Sequence, residues 1–516
     1  MTPETSVYEY AKQGVLRSPN KTALWFYRRS VSFSELFSRI DYTAEYLNAL
    51  GVGDGTVVTI HLPNCPHAII AFYAIAKLGA ICNMVHAQMP VNGVRELMDL
   101  AQSEILITYQ PECVGISKRV ICVEILSAGD VPGTVHCPSL SLESVFSGSD
   151  CEESLLPKQR TLAQKCVVYL HSSGSTGRPK TIMLSHSALN HCVEATADFF
   201  EDEVDRYVSL GVLPLFHGFG LAMDVHRNIS FGSTLVQMLK WNSDLAVQLI
   251  KEHQVSLMVG VPTMYYSLLN NPGFYGHEIN CLKKCYVGGD NVPPELIYEF
   301  DQRVGGGHRM FVGYGLTEAT TTDFVNTYRY YKESSSGYPT RGTTAAVMNE
   351  SGEIAYCGEG ELIISNKTLM MGYLNDVSAT ENTLIYVDGK QWTRTGDFVF
   401  LDKDGFLFFK DRIKNIIIHN GYNIYPAHLE DVIGSVPGVE DVCVVGVTDQ
   451  KLRTQNVRAV VIAAEGISTE ELEKVIIEKC YEMLPKYSVP KEIVFVTTFP
   501  QNSMGKVDRI KLGNTT

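Results

Sequence analysis

Tyr169-Leu170-His171-Ser172-Ser173-Gly174-Ser175-Thr176-Gly177-Arg178-Pro179-Lys180 is a β-rich run that opens into a loop of glycines and hydroxyl residues and ends on a lysine. Residues 167–171 read as a buried strand. Glycines let backbone N–H groups approach an anion, hydroxyls add donors, and the lysine adds charge, so the loop suits phosphate. The spacing G-x-x-x-x-G-K-[ST] of a Walker A loop is absent, because Gly174 and Gly177 are followed by Arg-Pro-Lys, and a P-loop kinase is excluded. The same composition also serves an ordinary Ser/Gly turn. The rest of the chain has to decide.

Outward from this segment, short β-rich runs at 57–62, 105–108, 120–123, 207–210 and 256–261 alternate with helical stretches, which implies βαβ units and largely parallel sheets. Residues 68–85 are the most apolar stretch, but Lys77 and Gly79 interrupt it, so it falls short of a membrane span and reads as a buried helix running into a strand. From about Asp397 the texture changes. Residues 398–401 and 406–409 flank Asp402-Lys403-Asp404-Gly405 as a β-hairpin closed by a glycine turn. Strands at 442–447, 459–463 and 493–496 and a helix at 468–484 then make a small α+β unit of ordinary domain size. The expected fold is a large α/β N-terminal domain of stacked, largely parallel sheets with helices and a smaller β region, followed by a small mobile α+β domain. The domains are placed at 1–411 and 412–516.

The bulk properties agree. A chain of 516 residues is too long for one core, and 45% hydrophobic with 19% charged residues is globular. A net charge of −14 without a basic patch argues against nucleic acid. The start, MTPETSVYEYAKQG, lacks the pattern of a signal peptide. The 13 cysteines are scattered without a CxxC pair, which suits a reducing cytoplasm. Cys281 and Cys285 stand at helical spacing, a sign of packing more than of metal.

Four further segments carry chemistry. Gly313-Tyr314-Gly315-Leu316-Thr317-Glu318 offers a flat ring for a nucleobase and a hard carboxylate of the kind magnesium takes, although a plain loop has the same composition. In Arg394-Thr395-Gly396-Asp397 a carboxylate could accept two ribose hydroxyls, or simply cap a strand end. Residues 411–426, from Asp411-Arg412-Ile413-Lys414 to Gly421 and Pro426, and residues 500–509, around Gly505-Lys506, are basic and glycine-bearing, as solvated surface also is.

In this order the five segments resemble the adenylate-forming superfamily of acyl-CoA synthetases, aryl-CoA ligases, firefly-type luciferases and peptide-synthetase adenylation domains, from about Lys21 to Arg509. The resemblance implies that Ser172, Ser173, Gly174, Ser175, Thr176, Gly177 and Lys180 hold the β- and γ-phosphates of ATP. It implies that Tyr314 stacks on adenine, Thr317 contacts the α-phosphate and Glu318 binds Mg²⁺. Asp397 would hold the ribose hydroxyls with Arg412 beside it. Gly288, Gly289 and Asp290 resemble the lining of the adenine and acyl pockets, with Gly313 on the substrate side. His217, in Pro214-Leu-Phe-His217-Gly-Phe-Gly220, resembles one wall of the acyl site, and a core histidine is the alternative there. Lys506 would bridge the substrate carboxylate and the α-phosphate, Lys414 would be the hinge of the small domain, and Gly421 would lie near the thiol channel.

Several positions depart from the family pattern. Thr181 stands where glycine usually follows the loop lysine, and Gln501 replaces a frequent basic residue. Ile418 takes the place of a luciferase lysine, and Leu316 stands where peptide-synthetase domains tend to have proline. The implied activity is therefore that of an acyl-CoA synthetase: a fatty or aryl acid and ATP give acyl-AMP and pyrophosphate, and the acyl group then passes to coenzyme A. The chain is expected to act as a monomer or homodimer. A ligase that loads an acyl carrier protein presents the same acceptor thiol, and a non-catalytic nucleotide sensor of the same fold is the alternative from another class. Retention of Lys180, Glu318, Asp397 and Lys506 argues against the sensor.

Overall fold

The computed structural model describes residues 2–16, 18–27, 29–113, 115–117, 119–123, 162–172, 180–197, 207–419, 422–449, 454–501 and 507–514. Ser173, Gly174, Ser175, Thr176, Gly177, Gly421 and Lys506 lie outside the described residues. The chain divides into two compact units, one of Met1–Ser172, Pro179–Thr344 and Ile364–Thr393, the other of Ser173–Arg178, Ala345–Ile363 and Arg394–Thr516.

The first unit is built on strands Thr22–Phe26 (β1), Arg29–Ser32 (β2), Val57–His61 (β3), Ile81–Met84 (β4), Ile105–Thr108 (β5), Arg119–Cys122 (β6), Cys166–Ser172 (β7), Lys180–Ser185 (β8), Val208–Gly211 (β9), Thr234–Gln237 (β10), Leu257–Gly260 (β11), Lys284–Val287 (β12), Met310–Tyr314 (β13), Phe324–Val325 (β14) and Tyr338–Pro339 (β15). One sheet runs β6-β5-β3-β4-β7-β8 and ends on a short strand, Gly372–Tyr373. The other runs β15-β14-β13-β12-β11-β9-β10-β1-β2. Most neighbours pair in parallel, as crossover helices require. The exceptions sit at the margins, and β7 and β8 are antiparallel because only seven residues separate them in the sequence, too few for a crossover. Pro66–Lys77 is a helix apolar on nearly every side and buried from Ala68 to Ala76, leading into β4. It lies in a core with Phe33, Ile60, Val168 and Leu184. Among the described residues no helix is long and apolar enough to cross a membrane.

Cys285 is buried on β12, as packing requires, and Cys281 closes a short 3₁₀ turn before it, so the two reach their places through a turn and a strand and not through one helix.

In the second unit, Leu407–Arg412 pairs antiparallel with Lys390–Leu401, with Leu401 opposite Leu407 and Asp397 opposite Arg412. Gly405, at φ +91°, takes the left-handed position the turn demands. Beyond it, Val439–Asp449, Thr454–Ala463 and Glu492–Phe495 form a three-stranded sheet, the first pair antiparallel and the second parallel. Helices Pro426–Gly434 and Thr469–Met483 bury Ile433 and Ile476 in one core with Val444 and Val461.

Candidate active site

Three side chains from three segments of the first unit meet. The Lys180 ammonium, at the start of β8, lies 4.6 Å from the centre of the Tyr373 ring. The Tyr373 hydroxyl donates to Glu318 Oε1 over 2.9 Å. Register brings Lys180 and Tyr373 together, because Tyr373 pairs with Ile182 on β8, and Glu318 is tied to the same segment where Met370 N–H donates to its carbonyl over 2.8 Å. Burial, followed by the charge of Glu318, pushes the Tyr373 phenol well above its ordinary pKa, so it stays protonated and keeps donating. Lys180 is half-buried, facing an aromatic ring that favours cations. The sequence reading missed Tyr373. Its strand is two residues long, with no periodicity to announce it.

Glu318 is held by the turn that follows β13. The Thr317–Ala319 3₁₀ turn leads into Thr320 and Thr321, both left-handed at φ 55° and 77°. β-branched residues rarely adopt that conformation, and here the surroundings over-determine it. Thr321 N–H donates to Leu316 O over 2.8 Å, Asp323 N–H to Tyr314 O over 3.0 Å, and the Thr320 hydroxyl to Thr368 O over 2.6 Å. Gly315 makes the reversal possible, since a Cβ there would stand 1.9 Å from the Thr321 carbonyl oxygen. Tyr314 lies edge-on to Phe324 at 6.0 Å. Behind the turn, Asp323 is fully buried and accepts from Asn366 Nδ2 over 2.9 Å. Desolvation lifts its carboxyl to about 8, against the pull of that bond.

The segment around His217 comes against this turn. A Cβ on Gly218 would lie 2.4 Å from Thr321 Cγ2 and 3.6 Å from Thr317 Cγ2. His217 is half-buried with its ring 4.7 Å from Phe216, which in turn packs on His86 at 4.2 Å. Residues Gly220–His226 form a π-helix, a form that often marks functional sites. Asp224 within it is buried and accepts from the backbone N–H groups of Val212 and Leu213 at 3.0 and 2.9 Å. Burial raises its carboxyl to about 7. It braces the start of the His217 segment, so it is occupied by this chain's own amides. Gly288 meets Gly313, where a Cβ would come 2.5 Å from the Gly313 oxygen, so the ends of β12 and β13 need that glycine. Gly289 and Asp290 are exposed, and Asp290 Oδ1 accepts from Asn291 N–H over 2.9 Å. Ser172, closing β7, donates to Lys180 O over 3.5 Å.

In the second unit, Asp397 sits inside the strand Lys390–Leu401, with its side chain wholly buried. Its Oδ1 lies 2.8 Å from Arg412 Nε. Gly396 turns the chain locally at φ +69°, and the Thr395 hydroxyl donates to Leu362 O over 2.8 Å. Arg412 is exposed and also donates to Thr395 O over 3.3 Å. Lys414 is exposed in the short 3₁₀ turn Ile413–Asn415.

The donor set is consistent with magnesium. No group of three or more His, Cys, Asp or Glu that could hold a metal exists among the described residues, and the carboxylate set beside Lys180 is that of Glu318 alone. Among the described residues its Oε1 accepts from Tyr373. Magnesium often takes one or two carboxylates and completes its shell with water and substrate phosphates.

A family model described as AMP-binding enzyme matches residues 12–374, and one described as AMP-binding enzyme C-terminal domain matches residues 428–506. The chain is 28% identical to a long-chain-fatty-acid–CoA ligase of Bacillus subtilis, covering 99% of this chain and 94% of that protein. It is 30% identical to a feruloyl-CoA synthase of Amycolatopsis sp, covering 95% of each. Its fold matches the crystal structure of ATP-bound MatB from Rhodopseudomonas palustris with a TM-score of 0.86, at 22% identity, over 100% of this chain and 99% of that one. The chain belongs to the AMP-binding enzymes of the adenylate-forming superfamily, and it is an AMP-forming acid–thiol ligase of the acyl-CoA synthetase branch.

Proposed function

We propose that this enzyme joins a fatty or aryl carboxylic acid to coenzyme A in two steps at one site. The carboxylate oxygen attacks the α-phosphorus of ATP, the bond from that phosphorus to the bridging oxygen breaks, and pyrophosphate leaves. The thiol then attacks the acyl carbonyl, and AMP departs with the mixed-anhydride oxygen. The meeting of Lys180, Tyr373 and Glu318 carries this reading, because it sets a cation beside a carboxylate held by a phenol. Two anions must approach in the first step, so preorganised charge is the principal need.

Lys180, with Ser172, Ser173, Gly174, Ser175, Thr176 and Gly177, would receive the β- and γ-phosphates. Glu318 would hold Mg²⁺, which when bound supplies charge neutralisation to the phosphates. Thr317 and Lys506 would hold the α-phosphate, and Lys506 also the carboxylate. Tyr314, Gly289 and Asp290 would face the adenine, Asp397 and Arg412 the ribose, and Gly288, Gly313 and His217 the acyl group. Among relatives at 28–30% identity are a ligase named for long-chain fatty acids and one named for ferulate, which supports an apolar or aromatic acid as substrate.

The test is product analysis over a panel of fatty and aryl acids with free CoA, at saturating Mg²⁺. Acid-dependent pyrophosphate and AMP, with acyl-CoA formed, is the expected result. ADP and inorganic phosphate as stoichiometric products would overturn the reading, and thioester formed only on a carrier protein would move the acceptor away from CoA.

A further inference from the structure

Four polar side chains cross the sheet beneath the lysine in one unbroken line. Asn83 on β4 donates from Nδ2 to Thr59 Oγ1 on β3 over 3.0 Å and to Leu97 O over 3.4 Å. Its amide nitrogen is thereby committed, and Oδ1 is left to accept. His171 Nε2 on β7 lies 2.8 Å from that oxygen, so Nε2 carries the proton and donates. His171 Nδ1 then accepts, and the Thr181 hydroxyl on β8 donates to it over 3.0 Å. Thr59 and Asn83 are fully buried, with Thr181 at 2% and His171 at 8% exposure. Desolvation lowers the His171 imidazole to about 4, so the ring stays neutral and the directions of the bonds do not change across the physiological range.

The line ends at the groups the reaction needs. His171 pairs with Thr181, and Ser172 with Lys180, across the antiparallel β7–β8 ladder. The Thr181 carbonyl accepts from Leu374 N–H over 2.8 Å, the residue after Tyr373. The first two residues of β8 therefore carry both Lys180 and the carbonyl that holds the Tyr373 strand, and Tyr373 holds Glu318.

We propose that Thr181 and His171 are positioning residues for the triphosphate: their hydrogen bond, anchored through Asn83 to Thr59, fixes the edge of β8 so that Lys180 and the Tyr373–Glu318 pair are preorganised for ATP. The proposal rests on the ATP role of Lys180. Once pyrophosphate has left, β- and γ-phosphate contacts no longer matter, so the effect is confined to the first half-reaction.

The experiment measures the KM for ATP in pyrophosphate release, and separately the rate of thioester formation from presupplied acyl-AMP and CoA. Thr181→Val keeps the branched shape and removes the donor. It is expected to raise the KM for ATP about tenfold, the worth of one lost hydrogen bond, while thioester formation stays within about twofold. Thr181→Ser restores the hydroxyl and should return the KM for ATP to the wild-type value. His171→Phe removes the acceptor while keeping a flat ring, and carries the same test if Thr181→Val folds poorly. Lys180→Ala is the control. If it leaves the KM for ATP unchanged, the site reading fails. If Lys180→Ala raises that KM and neither Thr181→Val nor His171→Phe does, or if both half-reactions fall equally, the positioning role is wrong.

Discussion

Asp323 shows what burial does to one residue next to a charged site. Its carboxyl is fully enclosed, and the hydrogen bond from Asn366 does not offset the lost hydration, so it titrates near 8. A carboxyl whose folded pKa lies above its unfolded value of 3.8 binds its proton more tightly in the native state. The stability this gives is complete below about 4 and is lost progressively as pH rises through 8. Asp323→Asn removes the titration and keeps the acceptor oxygen. The unfolding midpoint of the wild type minus that of the variant should therefore fall from pH 5 to pH 8 and level off above it. A difference independent of pH would show that Asp323 is ionised in the fold. Asp224 titrates near 7 for the same reason, so the variant comparison, and not the wild-type curve alone, isolates Asp323.

At the scale of the element, the turn after β13 presents Glu318 at a cost in backbone conformation, two consecutive threonines at positive φ. Close approach of the Thr321 carbonyl to Gly315 fixes the reversal. Gly315→Ala would drive a methyl into backbone atoms that have no rotamer to yield. A loss of about 1–3 kcal/mol is expected from such overpacking, seen as a lower denaturant midpoint, together with slower acyl-AMP formation. An alanine variant with wild-type midpoint and rate would mean the turn relaxes freely and is not the support of Glu318. The motif was legible as a string, but its glycine could be explained only once Thr321 was seen to lie against it.

At the scale of the whole molecule, the proposed reaction has two half-reactions at one adenylate, and the resemblance assigns Lys506 to the first and the region of Gly421 to the second. The resemblance assigns the change between them to a hinge at Lys414, exposed in its 3₁₀ turn. Proline at 414 fixes φ near −65° and removes the N–H, while alanine leaves both free. Lys414→Pro is expected to leave pyrophosphate release close to wild type and to slow thioester formation by on the order of tenfold or more, with Lys414→Ala near normal in both. Thioester formation at the wild-type rate in the proline variant would place the hinge elsewhere or remove the need for one.

The sequence by itself determined the fold class, through strands such as Val57–His61 and Ile105–Thr108, the buried helix Pro66–Lys77 and the Gly405 hairpin. These are local facts: apolar period, proline at a helix start and glycine at a positive φ depend on neighbours within a few residues. It also supplied the candidate site as ordered segments. What it could not supply were pairings set by strand order. Tyr373 and Glu318 are 55 residues apart and meet where a turn from one sheet comes against the last strand of the other; His171 and Asn83 are 88 apart and meet because their strands lie side by side. The role of Asp224 likewise waited on the tertiary structure, because a carboxylate open to a substrate and one that accepts from two backbone amides are the same letter. Hydrogen-bond partners and desolvation are properties of packing, and packing is decided by which distant elements the fold brings into contact.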